Sequence, residues 1–361
     1  MALSGGLLKK TLPDLTGPYR LSGNFPNVYN VRNVKEKRKR IKPTTFSSRF
    51  FFQHIYYRMT TAESTMKVYL SNLFTVAKLL GHSVIPEDNG KWLEDADSII
   101  EKMRGIKNLN TRKNKLNALI VYANVWKLSP EVIQKYADEV EKLGEAINAE
   151  LQTHQKNDKQ KENWMSKEEL VKFADELKAR VPTKIKAFFD YERMIQHLLV
   201  LFHIHYPLRN DLSDAKIYLA SEKPNLEDDF NFILINKRKK TAQLILKKYK
   251  TAKVYGVKRI DLNPVVSGAL IKYFPSIVGF SPDRFLLVKE GKDGTEPVSR
   301  NYYTKFLIRT FRATGKQISS TMIRHSIVSD VYNIDKQQQL ANVMGHSVAT
   351  AQQIYAKIDD E

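Results

Sequence analysis

The hydrophobic positions of residues 48–151 recur with the 3.6-residue period of α-helices, and polar positions fill the spaces between them. The first helix is predicted to begin at Thr61 or Ser64 and to end at Gly81, a residue suited to a helix C-terminus. Its buried stripe comprises Met66, Tyr69, Leu70, Leu73, Phe74, Ala77 and Leu80. Three further helices are predicted, near Asp95–Met103, from Asn110 or Thr111, and from Pro130.

The second half of the chain combines helices with short strands. Ser166 and Glu169 have the spacing of a capping box, which predicts the start of a helix. Residues 193–206 are apolar on nearly every side, as expected for a buried central helix. Three segments of strand-like composition are separated by basic turns: FNFILIN, TAQLILKKY and VYGVKRIDL. Helices return from Pro264, so the predicted fold class is mainly α with a small antiparallel β-sheet.

Two stretches lack this periodicity. Residues 1–47 hold ten Lys or Arg against two acids, with the densest run at Lys35–Lys42. A basic arm of this kind is typical of a nuclear-localisation signal, a phosphate-binding arm or a solvated tail. Residues 152–163 are polar and are interpreted as a linker, with a long charged helix as the alternative. We therefore divide the chain into the arm, a helical domain at 48–151, the linker and a second domain at 164–361.

The composition of the chain limits the classes of partner and of chemical site that it can have. Its 361 residues carry 59 Lys or Arg against 39 Asp or Glu, a formal net charge of +20, which favours a polyanionic partner. The absence of cysteine excludes disulfides, thiolate metal sites and cysteine nucleophiles. No apolar run approaches the ~18 residues of a membrane span, and the N-terminus lacks the apolar core of a secretory signal. We expect an intracellular protein with no membrane partner.

Two basic residues are candidates for contact with an anion. Arg209 directly follows the apolar central helix, where an unpaired guanidinium is costly. Either a structural carboxylate partner, Asp211 or Asp214, or a phosphate would satisfy it. Lys250 lies in the turn between the second and third predicted strands, inside a stretch (235–260) with ten Lys or Arg and no acid. A single hairpin lysine is ordinarily solvated, but a sheet edge with this charge faces an anion.

A second group of candidates lies near the carboxyl end. Arg324 precedes the apolar positions of a half-buried helix, so it lies near a helix N-terminus, where backbone N–H groups bind anions. His346 and Tyr355 are nine residues apart, which places them on opposite faces of one straight helix. Both can reach one site only if the helix breaks between them. Gly345 and Ser347 are suited to a break followed by a new cap.

This ordered set resembles the catalytic motifs of the tyrosine recombinase (phage integrase) family. In that family an Arg follows a buried helix, a Lys lies in a β-hairpin, and a His-x-x-Arg motif precedes Leu-Gly-His with the nucleophilic Tyr nine residues after the His. The resemblance spans about 164–361, and the helices of 48–151 are similar to the family's core-binding domain. The residues that carry it are Arg209, Lys250, Arg324-His325, Gly345-His346-Ser347 and Tyr355.

The resemblance implies a helical core-binding domain that clamps double-stranded DNA, followed by a mixed α/β catalytic domain. It implies site-specific recombination or integration through a 3′-phosphotyrosyl intermediate, with no metal or cofactor, in a homotetrameric synaptic complex. Tyr355 would be the nucleophile, and Arg209 and Arg324 would bind the phosphate oxygens as bidentate donors. Lys250 would protonate the leaving 5′-oxygen, and His346 would bind the phosphate or support proton transfer.

One position departs from the family pattern. Thr321 stands where the family usually has the histidine three residues before the second arginine, and a hydroxyl cannot take up a proton at neutral pH. Either His346 or water then accepts the proton, or a hydrogen bond from Thr321 is sufficient at that position. His325 is expected to pack against its neighbours and to take no part in the chemistry.

Two other functions stay open at this point. A type IB-like topoisomerase would share the chemistry but relax supercoils as a monomer, and a non-catalytic DNA-binding protein on the same scaffold would explain Thr321. Relatives often exchange a C-terminal helix between protomers, whereas six residues follow Tyr355 here, so we expect subunit contacts elsewhere. The basic, cysteine-free sequence is compatible with a viral or mobile-element protein that acts in a host nucleus.

Overall fold

The computed structural model describes residues 63–330 and 334–357. The predicted basic arm at 1–47 and the candidate cap Thr61 lie outside these ranges. Across the part of the chain that is described, none of the helices combines the length and apolar character needed to cross a membrane. The described residues divide into two compact units.

The first unit comprises residues 63–105 and 114–136. Its described regular structure is helical, as its hydrophobic period predicts. The elements are α1 (Glu63–Leu79), a 3₁₀ turn (Lys91–Leu93), α2 (Ala96–Arg104), α3 (Leu109–Trp126) from residue 114 onward, and the first turns of α4 (Pro130–Gln152).

The core of this unit forms where the apolar faces of its helices meet. Leu73 is fully buried, and the Tyr136 hydroxyl donates to the Leu93 carbonyl over 2.9 Å, which satisfies a buried polar group. Phe74, which the stripe placed in the core, is 47% exposed. Val76 is fully buried in its place. The buried face of α1 is therefore rotated slightly from the one that the residue types predicted.

The ends of α1 and α3 follow local capping rules. Gly81 has a positive φ of 94° after α1, as expected for a residue that ends a helix. The cap of α3 is Asn108, whose Oδ1 accepts the Thr111 N–H over 2.8 Å, so the helix begins earlier than the predicted cap, Asn110 or Thr111.

The second unit comprises residues 106–113 and the chain from 137 onward. The predicted linker at 152–163 contains a short helix here, because Asn157 and Gln160 form a capping box. The remaining elements are α5 (Asp158–Asn163), α6 (Lys167–Ala179), α7 (Phe188–His205), β1 (Lys216–Leu219), β2 (Phe232–Asn236), β3 (Thr241–Leu246), α8 (Ala252–Tyr255), β4 (Lys258–Leu262), α9 (Pro264–Phe280), α10 (Arg300–Phe311), α11 (Ser320–Ser329), α12 (Ile334–Met344) and α13 (Val348–Tyr355).

The sheet has four strands in the order β1-β2-β3-β4. β2, β3 and β4 pair antiparallel as predicted, but β1 pairs with β2 in parallel, so the sheet is mixed and the prediction of an antiparallel sheet is wrong at this edge. β1 was missed because four residues are too few to show alternation. The third predicted strand is also shorter, since residues 254–255 belong to the one-turn helix α8.

Helix α7 is the centre of the second unit, as its all-round apolar sequence predicts. On one side it packs with the sheet, α9 and α10, and Phe202 and Leu198 are fully buried there. On another side Val200 joins a cluster from α6 and α11, in which the rings of Phe173 and Phe311 stack with centroids 4.8 Å apart. This packing brings the C-terminal end of α7 next to α11.

A buried polar pair lies inside this core. His203 and Tyr303 are both fully buried, and the Nε2 of the imidazole lies 2.9 Å from the phenolic oxygen. Burial, assisted by the charge of Arg324, lowers the pKa of His203 to about 3. The imidazole is therefore neutral in the folded protein over the pH range in which it is protonated in the unfolded chain.

This difference predicts a pH-dependent stability. Between about pH 4 and 6 the unfolded state holds a proton on His203 that the folded state lacks, so the free energy of unfolding decreases as the pH falls. In His203→Gln we expect the slope of that free energy against pH to be shallower by about 1.4 kcal/mol per pH unit, measured by urea unfolding from pH 4 to 5.5. Tyr303→Phe is the control, because it removes the hydrogen bond but keeps the histidine and therefore the slope. Equal slopes in His203→Gln and the wild type would contradict the assignment.

Candidate active site

The loop that follows α7 carries Arg209. Its neighbour Asn210 holds this loop in place, since its Nδ2 donates to the Thr304 hydroxyl (2.7 Å) and to the Arg300 carbonyl (3.1 Å). Asn210 Oδ1 accepts the hydroxyl of Ser320, at the start of α11, over 2.8 Å. One asparagine thus ties the Arg209 loop to α10 and to α11. Asn210 was not predicted as a site residue, because the polar residues on both sides of it in the loop give it no distinguishing local signal.

The two carboxylates considered as structural partners of Arg209 pair with other cations. Asp211 contacts Arg300 at 3.3 Å, and Asp214 contacts Lys248 at 3.6 Å. Burial raises the pKa of Asp211, while the nearby positive charges of Arg300, Arg209 and Arg324 oppose that shift. Within residues 63–330 and 334–357, Arg209 forms no salt bridge, although its charge still acts on the buried Asp211.

Arg324 lies on α11, whose other faces hold it rigidly. Ile323 and Ile327 are buried in the cluster with α6 and α7, and Arg324 itself is only 1% exposed. Its guanidinium lies over the ring of Tyr355, 4.2 Å from the centroid. Burial lowers the pKa of Arg324 to about 10; Arg209 acts in the same direction, and Tyr355 opposes the shift. Its Nε is buried with no hydrogen-bond partner among the described residues.

His346 lies between the two arginines. The chain breaks where the sequence predicts: α12 ends at Met344, Gly345 has a φ of 72°, and the Ser347 hydroxyl accepts the Thr350 N–H over 3.1 Å to cap α13. A straight helix would place His346 and Tyr355 on opposite faces, whereas the turn at Gly345 lets both side chains reach the same site.

The imidazole of His346 accepts hydrogen bonds from both guanidiniums. Its Nε2 lies 2.7 Å from Nη2 of Arg209 and 2.9 Å from Nη2 of Arg324. Because a guanidinium only donates, Nε2 must carry the lone pair and the ring proton lies on Nδ1. Burial and the charges of Arg209, Arg324, Lys250 and Lys258 lower the pKa of His346 to about 4, so the ring is neutral at pH 7.

Tyr355 ends α13 and completes the group. Its side chain is 7% exposed and packs with a small apolar cluster that includes Val328, Ala341 and Ala351. The ring centroid lies 5.8 Å from that of His346. Four of the six predicted site residues therefore come together: Arg209, Arg324, His346 and Tyr355.

Lys250 and Thr321 lie outside this contact group. Lys250 is exposed in the β3–β4 connection, close enough for its charge to act on His346. Its neighbour Thr251 donates to the Gly345 carbonyl over 3.1 Å, and Lys258 Nζ donates to the carbonyl of Asn342, so the connection is fastened to the turn that carries His346. Thr321 is exposed at the second position of α11, three residues before Arg324.

His325 packs, as predicted, and also makes a specific hydrogen-bond contact. Its Nδ1 lies 3.1 Å from the carbonyl oxygen of Tyr355, and the two rings are 5.2 Å apart. The side chain therefore holds the backbone of the tyrosine and also packs against its ring. A histidine next to an arginine carries no local signal of this contact, because the partner is thirty residues away in the chain.

Comparison with known proteins gives little further information. No protein-family model matches the chain, and no curated protein matches it. Among solved structures, one described as "Crystal structure of XerA recombinase" is similar, at 11% sequence identity and a TM-score of 0.39, over 87% of this chain and 95% of that chain.

The turn before His346 predicts a requirement for glycine. A Cβ on Gly345 would lie 2.7 Å from the Thr251 hydroxyl and 3.3 Å from Cε2 of Tyr249, at a positive φ that strains other residues. Gly345→Ala is expected to lower the free energy of unfolding by about 2 kcal/mol or more, measured by urea denaturation. Gly315→Ala, with a φ of 75° and no atom within 4 Å, should lose only about 1 kcal/mol. Equal losses would show that the contact with Thr251 has no energetic consequence.

Proposed function

We propose that this protein is a DNA strand transferase that cleaves and rejoins DNA through a covalent phosphotyrosyl intermediate. One observation carries the proposal: two guanidiniums that form no salt bridge in the described residues meet at one neutral imidazole, beside a buried tyrosine. The two Nη2 atoms lie within roughly 6 Å of each other, where two unit charges repel by about 3 kcal/mol at an effective dielectric constant of 20. Binding of an anion between them removes that penalty.

A phosphodiester fits this arrangement. Its non-bridging oxygens accept forked donation from arginine, and both guanidiniums would stabilise the charge that grows on these oxygens in the transition state. The neutral Nε2 of His346 accepts from both guanidiniums where the anion would bind. A bound phosphate would replace Nε2 as the acceptor of these hydrogen bonds. A metal is not required for charge stabilisation when two guanidiniums supply it.

The covalent step balances with the residues at the site. The hydroxyl oxygen of Tyr355 attacks phosphorus, an O–P bond to the tyrosine forms, and the bond from phosphorus to the 5′-oxygen breaks. The phenolic proton passes to His346 or to water, and Lys250 protonates the leaving 5′-oxygen. The phosphotyrosyl bond conserves the energy of the phosphodiester. Attack by another 5′-hydroxyl can therefore reverse these steps and reseal a strand.

The wider DNA contact rests on charge. The chain has a formal net charge of +20, and residues 235–260, which include the β3–β4 connection, hold ten Lys or Arg and no acid. Such charge binds the phosphate backbone without recognising the base sequence. With the resemblance described above, we assign 48–151 as a DNA-binding domain and 164–361 as the catalytic domain. Site-specific recombination or integration in a homotetrameric complex is the form of the reaction that we propose.

Tyr355 is expected to be the residue that forms the covalent bond to DNA. Wild-type protein incubated with a nicked suicide substrate should yield a protein–DNA adduct on a denaturing gel, and Tyr355→Phe should bind the same DNA without forming one. Tyr302→Phe is the matched control and should keep the adduct. Arg209→Ala and Arg324→Ala should lower adduct formation by about 10²-fold or more, with a modest loss of binding.

The outcomes separate the candidate functions. An adduct that persists in Tyr355→Phe would move the nucleophile elsewhere. Tight DNA binding by the wild type with no adduct would favour a non-catalytic DNA-binding protein. Relaxation of supercoiled DNA with no strand exchange between two duplexes would favour a type IB-like topoisomerase.

Lys250 is expected to be the acid that protonates the leaving 5′-oxygen. Lys250→Ala should slow cleavage of ordinary DNA by about 10²-fold or more, because the 5′-alkoxide leaves poorly without a proton. A 5′-bridging phosphorothiolate substrate, whose thiolate leaves without protonation, should restore the rate. Lys253→Ala, an exposed lysine of the same connection, is the control and should cleave both substrates normally. A Lys250→Ala defect that is equal on both substrates would assign this lysine to DNA binding alone.

A further inference from the structure

The backbone around Tyr355 is held by side chains from two distant segments. The Tyr355 carbonyl lies 3.1 Å from Nδ1 of His325 and 3.5 Å from the hydroxyl oxygen of Ser329. The next carbonyl, of Ala356, lies 3.1 Å from Nδ1 of His154, and the Lys357 N–H donates to the Ser329 hydroxyl over 2.7 Å. Three consecutive residues at the end of α13 are therefore anchored by hydrogen bonds.

The other ring nitrogen of His325 contacts helix α5. Its Nε2 lies 3.3 Å from Nε2 of Gln160, and both side chains are more than nine-tenths buried. The orientation of the Gln160 amide is fixed independently, because its Oε1 accepts the Asn157 N–H over 3.0 Å in the capping box of α5. The amide NH₂ of Gln160 must therefore face His325.

These contacts define the tautomer of His325. An amide NH₂ only donates, so Nε2 of the imidazole accepts and carries no proton. The ring proton then lies on Nδ1, where it donates to the carbonyl of Tyr355. Burial and the charge of Lys357 lower the pKa of His325 to about 4. The ring is therefore neutral and carries a single N–H proton, the one on Nδ1.

We propose that Gln160 and His325 form a positioning relay that sets the place of Tyr355 in the candidate active site. The capping box orients the amide, the amide selects the His325 tautomer, and the Nδ1–H holds the Tyr355 carbonyl. The catalytic part of this inference rests on the proposed function, in which the tyrosine attacks phosphorus. Small displacements of a nucleophile have large effects on rate, so a residue far from the phosphate can control cleavage.

The test of the relay separates rate from binding. In Gln160→Met we expect the rate constant of adduct formation at saturating DNA to fall by about 10- to 100-fold, with the dissociation constant for DNA unchanged. Gln155→Met is the matched control, since Gln155 is exposed in the same segment and should have no effect. An unchanged rate in Gln160→Met, or an equal loss in Gln155→Met, would overturn the relay.

A double substitution distinguishes the relay from a general loss of packing. In His325→Asn the amide Nδ2 can occupy the position of the imidazole Nδ1 and donate to the Tyr355 carbonyl without help from Gln160. We therefore expect His325→Asn to keep more activity than His325→Ala, and Gln160→Met to add little to it. Independent, multiplicative losses from the two substitutions would contradict the relay.

A spectroscopic measurement tests the relay without any reaction. In histidine-labelled wild-type protein, the ¹⁵N signals of His325, assigned by their loss in His325→Asn, should show a protonated Nδ1 and an unprotonated Nε2. Gln160→Glu keeps the capping acceptor but cannot donate, so Nε2 of His325 should become protonated. An Nε2 that stays unprotonated in Gln160→Glu overturns the relay. Absence of adduct in the wild type with the expected ¹⁵N signals would instead reject the proposed function and leave the relay standing.

Discussion

The candidate active site depends on two positive charges that are held close together by one shared neutral acceptor. Arg209 and Arg324 each donate to the same nitrogen of His346, and among the described residues neither forms a salt bridge. Two guanidiniums in solution would separate, so the fold must supply the free energy that keeps them together. The neutral imidazole of His346 supplies part of this free energy, because its lone pair accepts from both guanidiniums without adding charge. The same geometry explains why an anion would bind strongly here.

Most of the second unit can be understood as the support of this pair. Helix α7 is buried on nearly all sides and fixes the start of the Arg209 loop, and Asn210 fastens that loop to α10 and α11. Asp211 is buried nearby and pairs with Arg300, while its charge still acts on Arg209 and Arg324 with no salt bridge to either among the described residues. Gly345 lets the chain turn tightly against Thr251. The site is thus kept in an electrostatically unfavourable state by packing and hydrogen bonds that lie around it.

The elements whose signals are local were predictable from the sequence. The central helix, the capping box at Ser166 and the helix break at Gly345 each depend on residues within about one or two turns of each other. The four-residue strand β1 was not predictable, because its parallel pairing with β2 is made across a long connection and it is too short for a periodic signal. The short helix α5 lies in the segment interpreted as a linker with a long charged helix as the alternative, since its polar composition fits both and only its capping box marks where it begins.

The sequence by itself determined the helical and strand periodicities, the basic charge and the order of the chemical groups, since each depends on residue type and on short spacing. Only the tertiary structure decided which groups meet. Arg209 and His346 are 137 positions apart, and Gln160 and His325 are 165 apart. Two carboxylates next to Arg209 in the chain looked equally able to neutralise it, and the fold gave them other partners: Arg300 at the start of α10 and Lys248 in the β3–β4 connection. Hydrogen bonds and ion pairs act over a few ångströms, so their partners follow from the path of the whole chain and not from the neighbours of a residue in sequence.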